Sequence, residues 1–125
     1  MTDLNLAVLS GEYTIHRFSP ESDIPALMGY FLSITRTKDE LSIVCDAEIP
    51  LSSEKKEAGW ACIKVLGPLG FGLTGILARI ASVLAEAEIS IFAISTYDTD
   101  YVLVKKEKLT AAKEVLVAIG YCFTN

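Results

Sequence analysis

The sequence predicts an α+β fold in which antiparallel strands and helices follow one another as β-α-β-β-α-β. Three observations predict it. The first is a short apolar run, Trp60 to Leu66 (WACIKVL), that stops at the punctuation Gly67-Pro68. The second is the helical recurrence of Ile76, Leu77, Ile80, Val83, Leu84 and Ala87, which share one face while Arg79, Ser82 and Glu86 lie largely opposite. The third is a β-branched and aromatic run, Ile89 to Tyr97, that meets Asp98-Thr99-Asp100 and turns straight back into Tyr101 to Val104.

The remaining elements follow in order. Thr110 is placed to cap a last helix carrying Ala112, Val115, Leu116 and Ile119, with Gly120 as its stop and Tyr121 to Thr124 as a closing strand. An echo of the hairpin lies upstream: Ser33–Val44 (SITRTKDELSIV) aligns beneath Ala93–Val104 (AISTYDTDYVLV) at an offset of 60, with Ile34 under Ile94 and Val44 under Val104. Tyr13 to Phe18 then matches the strand at Trp60. Pro20 to Gly29 leaves room only for a short or irregular crossover helix, since Pro25 sits in its middle and an interior proline costs about 3 kcal/mol. Ser52 to Glu57 is the segment available for a second helix. Two stunted units are expected, residues 1–58 and 59–125, packed together because each alone is too small to bury a good core. Leu4 to Leu9 reads as an additional strand without an assigned neighbour.

Bulk properties narrow the function. Hydrophobic residues make up 51% of the 125, and the mean hydropathy of +0.41 is high, which predicts apolar surface buried against another copy of the chain. A net charge of -5 argues against phosphate backbones and anionic membranes as partners. Only Lys105, Lys106 and Lys108 cluster, and Glu107 interrupts them, as on a solvated strand end. The first eleven residues lack the basic start of a secretory signal, and no apolar run approaches the roughly 18 residues that span a bilayer. Three widely spaced cysteines fit a reducing compartment, so the expected location is the cytoplasm.

Gly70-Phe71-Gly72-Leu73-Thr74-Gly75 spells GxGxxG after a strand and before a helix, the dinucleotide fingerprint, with Asp98 near the end of the following strand. Topology counts against a nucleotide: the hairpin after Asp98 replaces the crossover and parallel strand that such a sheet requires. The underlying physics remains. Glycines before a helix N-terminus let backbone N–H groups converge on an anion, and a carboxylate suits that loop as well as a phosphate; equally, glycines permit a tight strand-to-helix turn.

Other chemistry is sparse. His16 is the single histidine, mid-strand in YTIHRF, and nothing nearby makes it part of a nucleophilic arrangement. No close-spaced Cys or His set offers a zinc site. Cys62 is expected to be buried and inert. Asp98 and Asp100 are turn carboxylates of the kind that satisfy local N–H groups, and Trp60, Phe71 and Tyr97 could wall a ligand, although Trp60 fits core or interface better.

The stretch WACIKVLGPLGFGLTGILARIASVLAEAEISIFAISTYDTDYVLV resembles the ACT domains of the group that includes the eukaryotic cytosolic arginine sensors and many small bacterial proteins. It is similar, more distantly, to the regulatory domains of aspartate kinases. SITRTKDELSIVCDAEIP resembles the degenerate first ACT repeat of that group. The resemblance spans residues 60–104 and 12–50 and rests on GPLGF-x-LTG together with ISTYDTDYVLV. It implies two ferredoxin-like units of βαββαβ type, the first degenerate, and a stand-alone, non-catalytic sensor that needs no cofactor. It also implies a homodimer or larger assembly with a small ligand, commonly an amino acid, held between ACT units. Carried over by motif, ligand contacts fall on Gly70, Phe71, Gly72, Leu73 and Thr74 in the loop, on Ser90 and Ile91 of the next strand, and on Thr96, Tyr97 and Asp100 at the hairpin. Loop amides would hold the carboxylate, Thr74 and Thr96 would add hydroxyls, and Asp100 would meet an ammonium or guanidinium. Relatives often carry acids or hydroxyls where this chain has Gly70, Gly72 or Leu73, which implies a weaker hold on cationic ligands. The alternatives are a ligand-free module for protein association and a nucleotide binder using GFGLTG.

Overall fold

The computed structural model describes residues 4–66 and 75–125, and the chain is α+β. Two compact units form, residues 4–10 with 61–125 and residues 11–60. The expected cut at 58/59 differs from this grouping, because the first strand belongs with the later unit.

That later unit contains β1 (Asn5–Val8), the second half of β5 (Lys55–Val65), α1 (Ile76–Glu86), β6 (Ile91–Ser95), β7 (Asp100–Lys105), α2 (Leu109–Ala118) and β8 (Cys122–Phe123). Strands β6 and β7 form the expected antiparallel hairpin, and β7 also pairs with β5. The strand without an assigned neighbour is β1. It lies between β5 and β8, antiparallel to the first through Leu6↔Val65 and parallel to the second through Leu6↔Phe123. Its alternation explains the fit, since Leu6 is fully buried while Asn5 is exposed. Asn125 completes the seam: its side-chain amide donates to the Val8 carbonyl (2.8 Å) and its Oδ1 accepts the Val8 N–H (2.9 Å).

Both helices bury a stripe against this sheet. Ile80 and Leu84 of α1, with Ala112 and Leu116 of α2, meet Leu6, Ile63, Val65, Val102 and Val104. Thr110 does not cap α2. A 3-10 turn, Lys106–Lys108, runs directly into the helix, so its entry is made by backbone and Thr110 falls inside. Gly120, at φ +106, stops α2 as expected, with the Tyr121 N–H returning to the Leu116 carbonyl at 3.2 Å. Helix α1 ends in the same motif, the Ile89 N–H reaching the Leu84 carbonyl at 2.9 Å, but the left-handed position is held by Glu88 at φ +61.

The earlier unit contains β2 (Tyr13–Phe18), β3 (Ser33–Arg36), β4 (Leu41–Asp46) and the first half of β5, in the order β3-β4-β2-β5, all antiparallel. No helix occurs among its residues. Residues 20–29 form an irregular crossover, as Pro20 and Pro25 dictate. The helix allowed for at Ser52–Glu57 is absent: Lys55 to Glu57 open β5, opposite Arg17, His16 and Ile15, because an available strand edge overrides the helical propensity of a charged run. A bulge follows, where the register shifts between Tyr13 and Ile15 and Gly59 takes φ +84. Leu41, Ile43 and Cys45 make the buried core, covered by Phe18, Leu27, Ile49 and Leu51.

The two hairpins share a form, but their turns align one residue away from the expected offset of 60. The hairpin turn bonds run from the Thr37 N–H to Glu40 O and from the Thr96 N–H to Thr99 O, which aligns the two hairpins at an offset of 59. At that offset Ile43, Val44 and Cys45 superpose on Val102, Leu103 and Val104, all buried, whereas an offset of 60 sets buried Cys45 against half-buried Lys105.

The two helix ends give a paired prediction. Glu88→Gly raises the stability of the chain by about 1 kcal/mol, and Gly120→Ala lowers it by about as much, both read as midpoint shifts in urea. Equal responses at the two positions would contradict the assignment of strain to Glu88.

Candidate ligand-binding site

The β6–β7 hairpin turns beside the end of β5. The turn is built by threonines. Thr96 Oγ1 donates to the Thr99 carbonyl (3.0 Å) and accepts the Thr99 N–H (3.3 Å), closing the turn from the side-chain side. Thr99 is buried, and its hydroxyl donates to the carbonyl of Val65, the last residue of β5. The hairpin tip is thereby tied to the strand end that leads towards the glycine loop. Just below the turn, Ser95 Oγ donates to Asp100 Oδ1 at 2.5 Å, which fixes the carboxylate on the same end of the sheet.

On the helix side, Gly75 takes φ +84 and its carbonyl receives the Arg79 N–H at 2.9 Å. A side chain there would be strained by the backbone angle, which explains glycine at the last position of the motif. Helix α1 has no side-chain cap bond and no acidic residue in its first turn, so nothing of its own offsets the positive end of the helix dipole. Arg79 adds charge of the same sign. Its guanidinium donates to the Ile119 carbonyl at the end of α2 (3.3 Å) and lies 5.9 Å from the centre of the Tyr121 ring. The start of α1 is therefore electropositive, and Asp100 supplies a carboxylate at the hairpin.

The site residues expected from sequence divide into three groups. Gly70, Phe71, Gly72, Leu73 and Thr74 lie outside the described residues. Thr96, Tyr97 and Asp100 come together at the hairpin end, Tyr97 with its ring 82% exposed. Ser90 and Ile91 lie at the opposite end of β6, about 13 Å away at the usual rise of a strand. There they border an open groove of about 480 Å³ with Ala81, Ala85, Glu88 and Ile89. Thr99 was missed in the sequence; its signal was a β-branched residue between two aspartates, easily read as turn filler.

The other candidates are structural. His16 is 3% exposed and its Nδ1 is 2.8 Å from Ser53 Oγ. Burial, then the Lys56 ammonium, hold it below the ordinary histidine value of 6.5. Burial pushes the Cys62 thiol up to about 12, so it is inert as expected, and Cys122 is the exposed thiol. Trp60 is buried, and Asp98 is exposed at the turn. Among the described residues no cluster of His, Cys, Asp or Glu could hold a metal ion, and no helix is long and apolar enough to cross a membrane.

Two results are expected. Thr99→Val removes the hydroxyl that donates to the Val65 carbonyl, and costs about 1–3 kcal/mol in urea denaturation, most of which Thr99→Ser restores. The His16 contribution is complete above pH 6.5 and is lost as pH falls from 6.5 through its lowered folded-state value, because the unfolded chain takes up the proton first. Melting temperature followed from pH 8 to 5 therefore declines more steeply for the wild-type chain than for His16→Gln.

Comparison with known proteins places these features. The ACT domain family model matches residues 55–118, and a model of an N-terminal domain matches residues 11–51. Human cytosolic arginine sensor for mTORC1 subunit 1 is 37% identical over 95 residues, which is 69% of this chain and 29% of that protein. The chain thus spans under a third of the length of this relative. A crystal structure of an Agobacterium tumefaciens protein matches with a TM-score of 0.90 at 40% identity, covering 98% of this chain and 93% of that one. Escherichia coli aspartokinase III, solved with aspartate and ADP, shares the fold at a TM-score of 0.58 and 13% identity, over 90% of this chain and 31% of that one.

Proposed function

Because the chain belongs to the ACT domain family, we propose that it is a regulatory, non-catalytic module that senses a small amino acid at an interface between ACT units. The observation that carries this reading is the bond from Thr99 to Val65, which ties the hairpin bearing Thr96 and Asp100 to the end of β5, the strand that precedes α1 in the chain. A free amino acid carries the matching pair of charges. Its carboxylate meets the helix end and the loop amides of residues 70–74, and its ammonium meets the Asp100 carboxylate that Ser95 orients. The relative described as an arginine sensor supports an amino acid as the ligand class.

The placement of Ser90 and Ile91 supports a shared site. Both lie at the far end of β6 from the hairpin, so a ligand that touches both sets draws them from two different ACT units. Binding then alters how the units associate, which is the means of regulation. The antiparallel β6–β7 hairpin counts against a dinucleotide at GFGLTG, since the next strand is not parallel to its predecessor.

A melting-temperature screen against the twenty amino acids tests the proposal. A ligand at 100 times its Kd stabilises the fold by about 2.7 kcal/mol, a shift of several degrees. Asp100→Asn weakens the amino acid that responds by roughly tenfold or more in calorimetry. No response to any of the twenty would remove this reading in favour of a ligand-free module for protein association.

A further inference from the structure

The earlier unit's core is closed by a strap. Between β4 and β5, residues 49–53 form no regular element, yet burial alternates along them as in an extended chain. Ile49, Leu51 and Ser53 are half-buried, while Pro50 and Ser52 are exposed. Ile49 and Leu51 pack on Leu41, Ile43 and Cys45, and Ser53 Oγ meets His16 Nδ1 at 2.8 Å. The backbone bonds lie at the two ends. The Ile49 N–H donates to Asp46 O (3.1 Å) and the Glu54 N–H to Arg17 O (3.0 Å), with the Arg17–Glu54 ion pair beside the second. Among the described residues, Pro50 to Ser53 make no backbone bond of their own, so side chains hold the middle. Such a segment opens at less cost than the strands beneath it, whose ladders would have to break.

His16 is the one group under this cover that titrates near neutrality. It is fixed in β2, opposite Ile43 of β4 and Lys56 of β5. Its side of the sheet carries Leu41, Ile43 and Cys45 from β4 and the Phe18 ring, 6.2 Å away in the same strand. The titratable groups there are the Lys56 ammonium and the Cys45 thiol, and neither welcomes a second positive charge. Glu54, the carboxylate next to Ser53, is already engaged by Arg17. A neutral imidazole suits this place and an imidazolium does not. Because β4 and β5 hold β2 on both sides, water reaches a charged His16 most cheaply by departure of the strap.

We propose that the strap is an acid-released cover: protonation of His16 frees Ser53 and lifts residues 49–53 from β4, baring Leu41, Ile43 and Cys45 while both sheets stay folded. The device lies wholly within the earlier unit and does not depend on a ligand at the hairpin corner. Linkage gives its sign and its size. Burial, then Lys56, hold the closed-state histidine below 6.5, so the open state takes up the proton first and gains as pH falls. An open-state histidine of ordinary value limits that gain to about thirtyfold between pH 7.5 and pH 5.

The chain's own cysteines provide the test. Cys45 is fully buried in the cluster that the strap covers, Cys62 is fully buried at the later unit's β5, and Cys122 is exposed. They report local opening, global unfolding and reagent chemistry in turn. The full chain is treated with 4,4′-dithiodipyridine, which stays reactive in mild acid, at steps from pH 7.5 to pH 5. Peptide mass spectrometry then gives the labelling rates of Cys45 and Cys62 relative to Cys122. The expected result is a Cys45 rate that rises at least fivefold, and no more than about thirtyfold, while Cys62 stays protected. His16→Gln keeps a hydrogen-bonding group for Ser53 but cannot charge, and flattens the rise to less than twofold. Ser53→Ala loosens the strap and raises the Cys45 rate already at pH 7.5. A Cys45 rate indifferent to pH, a rise that persists in folded His16→Gln, or Cys62 labelling that climbs together with Cys45 overturns the proposal. Should His16→Gln fail to fold, a Ser53→Ala chain whose Cys45 is as protected as in the wild type overturns it as well.

Discussion

One buried hydroxyl organises the corner where the β6–β7 hairpin meets the end of β5. The carbonyl of Val65 closes the central strand of the later unit where the chain leaves the sheet, and an unmatched carbonyl buried there would cost about 1–3 kcal/mol. Thr99 meets it from the neighbouring hairpin. The same residue closes its own turn through Thr96, so satisfying one strand end also fixes the direction in which the hairpin tip points. Asp100 follows immediately and inherits that orientation through Ser95. A short chain of hydrogen bonds thus converts a requirement of sheet chemistry into a placed carboxylate.

Much of the later unit was legible because its signals are local. Helix α1 reads from Ile80 and Leu84 at their four-residue spacing, the hairpin from a β-branched run broken by three polar residues, and the end of α2 from Gly120. What failed was nonlocal. Four residues at Asn5–Val8 contain nothing that names β5 and β8 as neighbours, and the pairing becomes intelligible only once Leu6 is seen facing the core beside Val65. Ser52–Glu57 was misread for the same reason: its charges favour a helix locally, and β2 recruits it as a strand. The one-residue slip in the repeat arose from matching Ile34 to Ile94, whereas the turn threonines set the true register. The hairpin corner was legible as a turn at Asp98-Thr99-Asp100, but the bond made by Thr99 was not, because its partner is a main-chain atom 34 residues away.

The two units solve the same packing problem unequally. In the later unit, helices supply one side of the core, and the sheet strands can be buried almost continuously, as Cys62, Ile63 and Val65 are. In the earlier unit, prolines at 20 and 25 remove the crossover helix, and an irregular segment lays Leu27 over Leu41, Ile43 and Cys45 instead. An irregular segment has no period that turns every apolar side chain inward. Alternate residues of it must face outward, and Met28, Tyr30 and Leu32 do.

The high mean hydropathy of the chain therefore has a location as well as a value. It is concentrated in the later unit, in runs such as Ala61–Leu66 and Ile76–Ala85, while residues 11–60, with many charged side chains, are hydrophilic on balance. The apolar side chains that the earlier unit does leave in water, Met28 and Tyr30 among them, cost about 25 cal/mol for each Å² that could be covered. For a unit of about fifty residues, small for independent stability, that deficit is a substantial share of what holds it folded.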